Sequence, residues 1–177
     1  KVGVIGAGHW GKNLVRNFYN LGYLGWVCDM DMDALQRINS QYDDVETTHR
    51  YEDILINPDI TAVVISTPSH THYRLAKAAL LADKHVYVEK PIATTVADTE
   101  ELYELSKRTG KVLMVGHLLL YHPAVNRLKQ LIHEGFLGEI RYIQSDRLNQ
   151  NPYRSDKSVF WDLAPHDLSM MMYLLEQ

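Results

Sequence analysis

Three groups of residues have the types and spacing to do chemistry. The first is a glycine triplet, Gly6, Gly8 and Gly11, set as G-x-G-x-x-G in the opening stretch KVGVIGAGHWG. The first glycine permits a sharp turn, the second lets the backbone approach a pyrophosphate, and the third lets a helix pack closely on a strand. An anion held there would meet the unpaired N–H groups and the positive dipole end of the following helix. His9 and Trp10 lie inside this turn and would shape the same pocket. Asp29 stands 18 residues after Gly11, close to the roughly 20 expected for an acid that takes an adenosine ribose 2′-OH and repels a 2′-phosphate. The plainer reading is a strand–helix turn with Asp29 as an ordinary loop acid. Context favours the first: an apolar strand (Val2, Val4, Ile5) precedes the turn, the helix Trp10–Leu21 follows, and a second strand, Leu24–Cys28, runs into Asp29.

The second group is Thr67-Pro68, ending a third strand, with Glu89-Lys90-Pro91, ending a fourth. Both would lie at the carboxyl edge of a parallel sheet, where open α/β sheets bind ligands. A lysine fixed there can hydrogen-bond a substrate hydroxyl or favour a developing alkoxide; the alternative is a solvated surface lysine. The third group is Asp162-x-x-x-His166 in WDLAPHD. On a helix, positions i and i+4 share a face, so the carboxylate could orient the imidazole and tune its basicity. Pro165 suits only a first helical turn, which leaves open that Asp162 is an N-cap and His166 a core histidine. The other histidines show no zinc-ligand spacing, and no metal site is expected. Neither a G-x-S-x-G nor a P-loop pattern occurs.

The elements that must carry these groups follow from periodicity. Helical spacing covers Asp33–Tyr42 (Ala34, Leu35, Ile38) and a short helix Tyr51–Ile56. Ile60–Thr67 is almost wholly apolar and β-branched, as a strand covered on both faces should be. Ser69 or Thr71 can cap a helix His72–Ala82, striped by Leu75, Ala76, Ala79 and Leu80. His85–Glu89 is a strand, Thr95 opens a helix Val96–Thr109 closed by Gly110, and Lys111–Leu119 is a fifth strand. Strands alternating with helices at this spacing predict an α/β fold, a Rossmann-type doubly wound parallel sheet over residues 1–119. Beyond it, Pro123–Glu134 reads as a helix, Gly138–Leu148 as a strand, Asn149–Ser158 as a polar loop and Ala164–Leu175 as a helix. These cannot close a core alone, so residues 120–177 read as the start of a second α+β domain with an open, incomplete sheet. A first residue Lys1 and a last pair Glu176-Gln177 directly after a helical pattern make both ends look cut.

Bulk properties narrow the function classes. Hydrophobic residues make up 46% and charged residues 23% of the 177, as in a globular protein. A net charge of −4, with no basic run, gives nucleic-acid binding no support. No apolar run reaches the roughly 18 residues of a membrane span. The one cysteine, Cys28, allows no internal disulfide, which fits a reducing, cytoplasmic compartment.

In order along the chain, GAGHWG, STPSHTHY, EKP, GHLLLYHPAVNRLKQLIHEGFLGEI and WDLAPHD resemble the Gfo/Idh/MocA family of NAD(P)-dependent oxidoreductases. More narrowly, HWGKNLVRNF, YHPA and RLN…RSD…WDLAPHD are similar to nucleotide-sugar 3-dehydrogenases, such as UDP-N-acetylglucosamine 3-dehydrogenase. The resemblance implies a second domain used for homo-oligomerisation, a cis Lys90-Pro91 bond, Lys90 beside the reacting carbon, and Asp162 and His166 as the family's D-x-x-x-H motif. His122 stands before Pro123 where the family commonly has Asn.

The expectation is then an NAD-dependent dehydrogenase, NAD rather than NADP, oxidising a sugar secondary hydroxyl at C3 of a nucleotide-activated sugar. His166 would be the general base, oriented by Asp162, with Lys90 steadying the hydroxyl. Thr67, Pro68, His72, Glu89 and Lys90 would join the glycine turn and Asp29 around the cofactor. Tyr121, Arg147, Asn149 and Arg154, with Lys90 and His166, would contact substrate, arginine suiting a diphosphate through its two-pronged fork. Two other classes compete: a non-catalytic NAD(H)-binding sensor or scaffold, and a reductase of another small substrate on the same fold.

Overall fold

Strands β1 (Val2–Ile5) and β4 (Ala62–Ile65) are apolar on both faces because both faces are covered. In a strand alternate side chains point to opposite sides. Val4 and Val64 accordingly enter one core layer with Val15 of α1 (Gly11–Asn20), Val27 of β2 (Leu24–Cys28), and Leu35 and Ile38 of α2 (Met32–Gln41). Ile5, Val63 and Ile65 enter the other. That second layer holds Ile54 of α3 (Tyr51–Ile56), Leu75, Ala76, Ala79 and Leu80 of α4 (His72–Leu81), and Leu102 and Leu105 of α5 (Val96–Thr109). Residues 1–146 and 159–176 are described by the computed structural model, Val159 and Asp162 through their backbone only.

With β3 (Glu46–Thr48), β5 (His85–Val88) and β6 (Leu113–Val115) the sheet has six strands, all parallel, in the order β3-β2-β1-β4-β5-β6. The chain moves outward from β1 to β3, then returns to lay β4 against β1. Carboxyl ends of β1 and β4 therefore form the topological switch point, the crevice where sheets of this kind bind ligands. Five strands were expected and the sixth, β3, was not. It has three residues, ETT, pairs only with β2, and carries no apolar run to reveal it. The last strand is also shorter than expected, three residues rather than the span 111–119.

Several local expectations hold. The Thr95 side chain caps α5 by accepting the Asp98 N–H at 3.1 Å, and Gly110 ends it in the left-handed conformation at φ 67°. For α4 the capping reading is corrected. Thr71 is the N-cap, but its hydroxyl donates to the Pro68 carbonyl at 2.7 Å and caps nothing, while Ser69 lies in a single 3-10 turn, Ser69–Thr71.

The chain divides into two compact units, Lys1–Gly116 and His117–Gln177. In the second, a 3-10 turn Leu118–Tyr121 leads to α6 (Pro123–His133), which packs with α7 (Val159–Leu175). The Tyr173 hydroxyl donates to Asn126 Oδ1 at 2.8 Å, and Lys129 Nζ lies 3.9 Å from the centre of the Tyr173 ring. The strand expected over 138–148 does not form over 138–146, because no neighbouring strand among the described residues offers it a ladder. No described helix is long and apolar enough to cross a membrane.

Candidate functional site

The glycine turn is built on contacts only glycine allows. Gly6 has φ 96°, and a Cβ there would lie 2.7 Å from the Ser66 carbonyl oxygen just beyond β4. A Cβ on Gly11 would lie 2.0 Å from the Gly6 carbonyl oxygen, so α1 starts in direct contact with the turn. Gly8 differs: a Cβ on it would meet nothing within 4 Å. Its role is not internal packing, and the space before it is open. The first turn of α1 holds no acidic side chain to neutralise the helix end. Among the described residues the backbone N–H groups of Gly8, His9 and Trp10 have no backbone acceptor. An open concavity, aimed N–H groups and an unneutralised helix N-terminus fit a pyrophosphate, and His9 lies exposed beside them.

Asp29 is held at the end of β2 with both carboxylate oxygens on backbone donors. Oδ2 accepts from Ala7 N–H at 2.6 Å and Oδ1 from Asp31 N–H at 2.9 Å. One acid thus ties the glycine turn to the β2 exit while each oxygen keeps a further lone pair for a ribose hydroxyl. Asp31 in turn caps α2 by accepting from Asp33 N–H at 2.9 Å. The segment after Asp29 therefore carries two more acids and no base.

At the ends of β4 and β5 the remaining first-unit candidates gather. Glu89 N–H donates to the Ile65 carbonyl at 2.9 Å, the last rung between the two strands. The Glu89 side chain is buried, and its Oε1 accepts from Trp10 Nε1 at 2.9 Å and from the Tyr87 hydroxyl at 3.0 Å. Glu89 thereby joins the start of α1 to β5. Tyr87 and Gly116 belong to this network, and the sequence reading missed both. A Cβ on Gly116 would fall 2.4 Å from the Tyr87 hydroxyl oxygen, so glycine there makes room for it. A glycine just past a strand in KVLMVGH was the available signal. Lys90 follows Glu89, half-buried, and the Lys90-Pro91 bond is cis as the resemblance implied.

His72, expected to touch the cofactor, is instead an internal residue. It is 1% exposed, with Nδ1 2.7 Å from the Pro91 carbonyl oxygen and Nε2 2.8 Å from that of Thr67. With both ring nitrogens spent on backbone, it reaches a ligand only through the loops it holds. Thr67 Oγ1 meets Thr71 Oγ1 at 2.6 Å, and the Pro68 carbonyl accepts from Thr71 N–H at 2.9 Å, so Thr67 and Pro68 form a closed turn after β4.

In the second unit α7 begins five residues before Ala164, the start read from the sequence, and carries Pro165 in its interior. That corrects the N-cap reading of Asp162. It lies in the helix at its fourth position, one turn before His166, on the shared face that i, i+4 spacing gives. Pro165 has no N–H to return to the Trp161 carbonyl, which removes one helical bond beside this pair. His166 is half-buried. Its neighbour Asp167 accepts from the Ser145 hydroxyl at 2.8 Å. His122, where the family commonly has Asn, caps α6: Nδ1 accepts from Ala124 N–H at 3.1 Å, the bond an Asn would make. Tyr121 is exposed at the end of the 3-10 turn before it. Arg147, Asn149 and Arg154 lie outside the described residues. Among the described residues no group of His, Cys, Asp and Glu could hold a metal ion.

The chain is 30% identical to a UDP-N-acetylglucosamine 3-dehydrogenase of Acidithiobacillus ferrooxidans, covering 98% of this chain and 54% of that protein. It is 26% identical to an inositol 2-dehydrogenase of Salmonella typhimurium, covering 100% of this chain and 55% of that one. The fold is shared with a scyllo-inositol dehydrogenase from Lactobacillus casei, with a TM-score of 0.83 at 21% identity over 98% of this chain and 54% of the other. The chain thus spans about half the length of these relatives. Residues 1–117 match an oxidoreductase family defined by its NAD-binding Rossmann fold. With the glycine turn at the switch point and Asp29 behind it, the chain belongs to the Gfo/Idh/MocA oxidoreductases.

Proposed function

We propose that the protein carrying this chain oxidises a secondary hydroxyl of a sugar, at C3 of a nucleotide-activated sugar, with NAD as its cofactor. The observation that carries this reading is one sheet edge bearing both the anion-binding glycine turn and Lys90. When bound, the nicotinamide supplies the hydride acceptor. The chain's residues do the rest. His166 takes the hydroxyl proton as general base, and Asp162, one helical turn away, orients its imidazole. The Lys90 ammonium hydrogen-bonds the same oxygen and favours the negative charge that grows as its proton leaves. The carbon gives up its hydrogen with the bonding pair, the oxygen its proton, and a ketone results.

Asp29, backed by Asp31 and Asp33, supports NAD over NADP, since a 2′-phosphate beside three carboxylates is repelled. The nucleotide sugar is supported by the 30% identity to an enzyme named for one, and Arg147 and Arg154 suit a diphosphate. Substrate contacts from Tyr121 and Asn149, a homo-oligomer through the second domain and a cytoplasmic location belong to the same reading. The test is a screen of the full-length protein with UDP- and dTDP-sugars and with inositols, following NADH absorbance. Turnover of a nucleotide sugar supports the proposal. Turnover of inositols alone overturns the substrate, and NADH binding without any turnover leaves the sensor reading in its place.

A further inference from the structure

Trp10 is the N-cap residue of α1 and follows the glycine turn directly, yet its side chain is anchored on another strand. The indole N–H donates to Glu89 Oε1 at 2.9 Å. An indole nitrogen can only donate, so the direction of this bond is fixed. In the sheet order, Trp10 belongs to the exit of β1 and Glu89 to that of β5, with β4 between them. Neighbouring strands lie about 4.8 Å apart, so this one bond ties chain segments that leave the sheet about 10 Å from each other.

The acceptor is itself held. Glu89 is buried, and its N–H donates to the Ile65 carbonyl at 2.9 Å. The same Oε1 takes the Tyr87 hydroxyl at 3.0 Å, and a Cβ on Gly116 would fall 2.9 Å from it. Trp10, by contrast, is 43% exposed. A large aromatic side chain tethered through its only polar atom and half-open to solvent offers a fixed surface to a flat ring. With the pyrophosphate at the glycine turn past β1 and the adenosine ribose at Asp29 past β2, the other half of the dinucleotide runs towards β4 and β5. The Trp10–Glu89 bond lies on that side. That half carries the nicotinamide, whose ring is a cation when oxidised and neutral when reduced. A tryptophan face attracts a cation more strongly than the other aromatic side chains do.

We propose that Trp10 discriminates between the two oxidation states of the cofactor: held by Glu89, its indole meets the nicotinamide ring and favours the cationic, oxidised form. Glu89 is the positioning residue of the pair. The inference rests on the NAD site proposed above and adds to it which form of the cofactor the site prefers, and why.

The experiment titrates the full-length protein with NAD, NADH and ADP-ribose, which lacks the nicotinamide. Trp10→Leu should weaken NAD at least about threefold more than NADH and leave ADP-ribose within about threefold of wild type. Equal losses for NAD and NADH overturn the preference. A loss for ADP-ribose as large as that for NAD makes the indole a prop for the glycine turn, and also overturns it. Glu89→Leu should reproduce the Trp10→Leu pattern. It should also raise acrylamide quenching of the Trp10 emission in the cofactor-free protein, assigned by difference from Trp10→Phe. Glu89→Gln keeps an acceptor for the indole N–H and should restore both. Unchanged quenching and unchanged affinities in a folded Glu89→Leu overturn the role of Glu89. Should that variant not fold, exchange of the Trp10 indole N–H in the cofactor-free wild type decides the tether: at least about tenfold slower than in free tryptophan supports it, and an equal rate overturns it. A wild-type protein that binds neither NAD nor ADP-ribose overturns the cofactor site itself, an outcome distinct from all the others.

Discussion

Replacing Gly8 and Gly11 separately by alanine should split cofactor binding from stability. At Gly11 the new Cβ would lie 2.0 Å from the Gly6 carbonyl oxygen and 2.8 Å from its carbon. Both are backbone atoms of a turn that itself abuts Ser66, so no flexible side chain can yield, and α1 must shift away. Overpacking of this kind costs about 1–3 kcal/mol. For a chain of this size that is a fall in Tm of roughly 2–12 °C. NADH binding should fall with it, since the helix N-terminus moves off the anion. At Gly8 the Cβ would meet nothing within 4 Å, and its φ is not in the left-handed region. Stability should hold or rise by about 0.4–1 kcal/mol through a less flexible unfolded chain. The methyl group would nevertheless stand in the open space assigned to the pyrophosphate, and NADH affinity should drop at least about tenfold, or roughly 1.4 kcal/mol. Thermal melts without cofactor and NADH fluorescence titration measure the two effects. Full NADH affinity in Gly8→Ala would show that this space is not the pyrophosphate seat, and an unchanged Tm in Gly11→Ala would refute the contact argument.

NADH should bind at least about tenfold more tightly than NADPH, because Asp29 is fixed by Ala7 and Asp31 and the four residues after it add two acids and no base; equal affinities by titration would sink the assignment. In the full-length enzyme His166→Ala should lower kcat by about 10²–10⁴ and leave NADH affinity nearly intact, and a variant that melts lower at full kcat would make the histidine structural. Lys84 is buried with its ammonium on the Asn57 and Ile60 carbonyls at 2.7 and 2.6 Å, so Lys84→Met should cost about 1.5–3 kcal/mol in a denaturant melt, and no shift in midpoint would count against it. Burial, aided by Asp29, Glu52 and Asp53, pushes the Cys28 thiol from 9.0 up to about 12. An acid whose folded value is raised stabilises below its unfolded value, so stability should fall as pH climbs from 9.0 towards about 12. Cys28→Ala should flatten that fall relative to wild type; an identical pH profile would contradict it.

What the sequence determined by itself is local. The period-two and near-continuous apolar runs of β1 and β4, the helical stripe of α4, the Thr95 cap and the Gly110 stop were legible because each depends on residues a few positions apart. The glycine spacing foretold a turn, a close approach and a helix start for the same reason. Tertiary structure decided what depends on distant partners. Asp29 reaches back 22 residues to Ala7, Trp10 reaches forward 79 to Glu89, and His72 spans 19 to Pro91. Nothing in local composition distinguishes a histidine that meets a cofactor from one whose two nitrogens are spent on carbonyls. The three-residue β3 pairs only with the edge that β2 offers, and the strand expected over 138–148 does not form over 138–146, where no such edge is offered among the described residues. Pro165 marked a helix start by its chemistry, yet α7 continues through it. A proline costs a helix one bond and some strain, and α7 packs against α6, a contact that the residue's own preference cannot foretell.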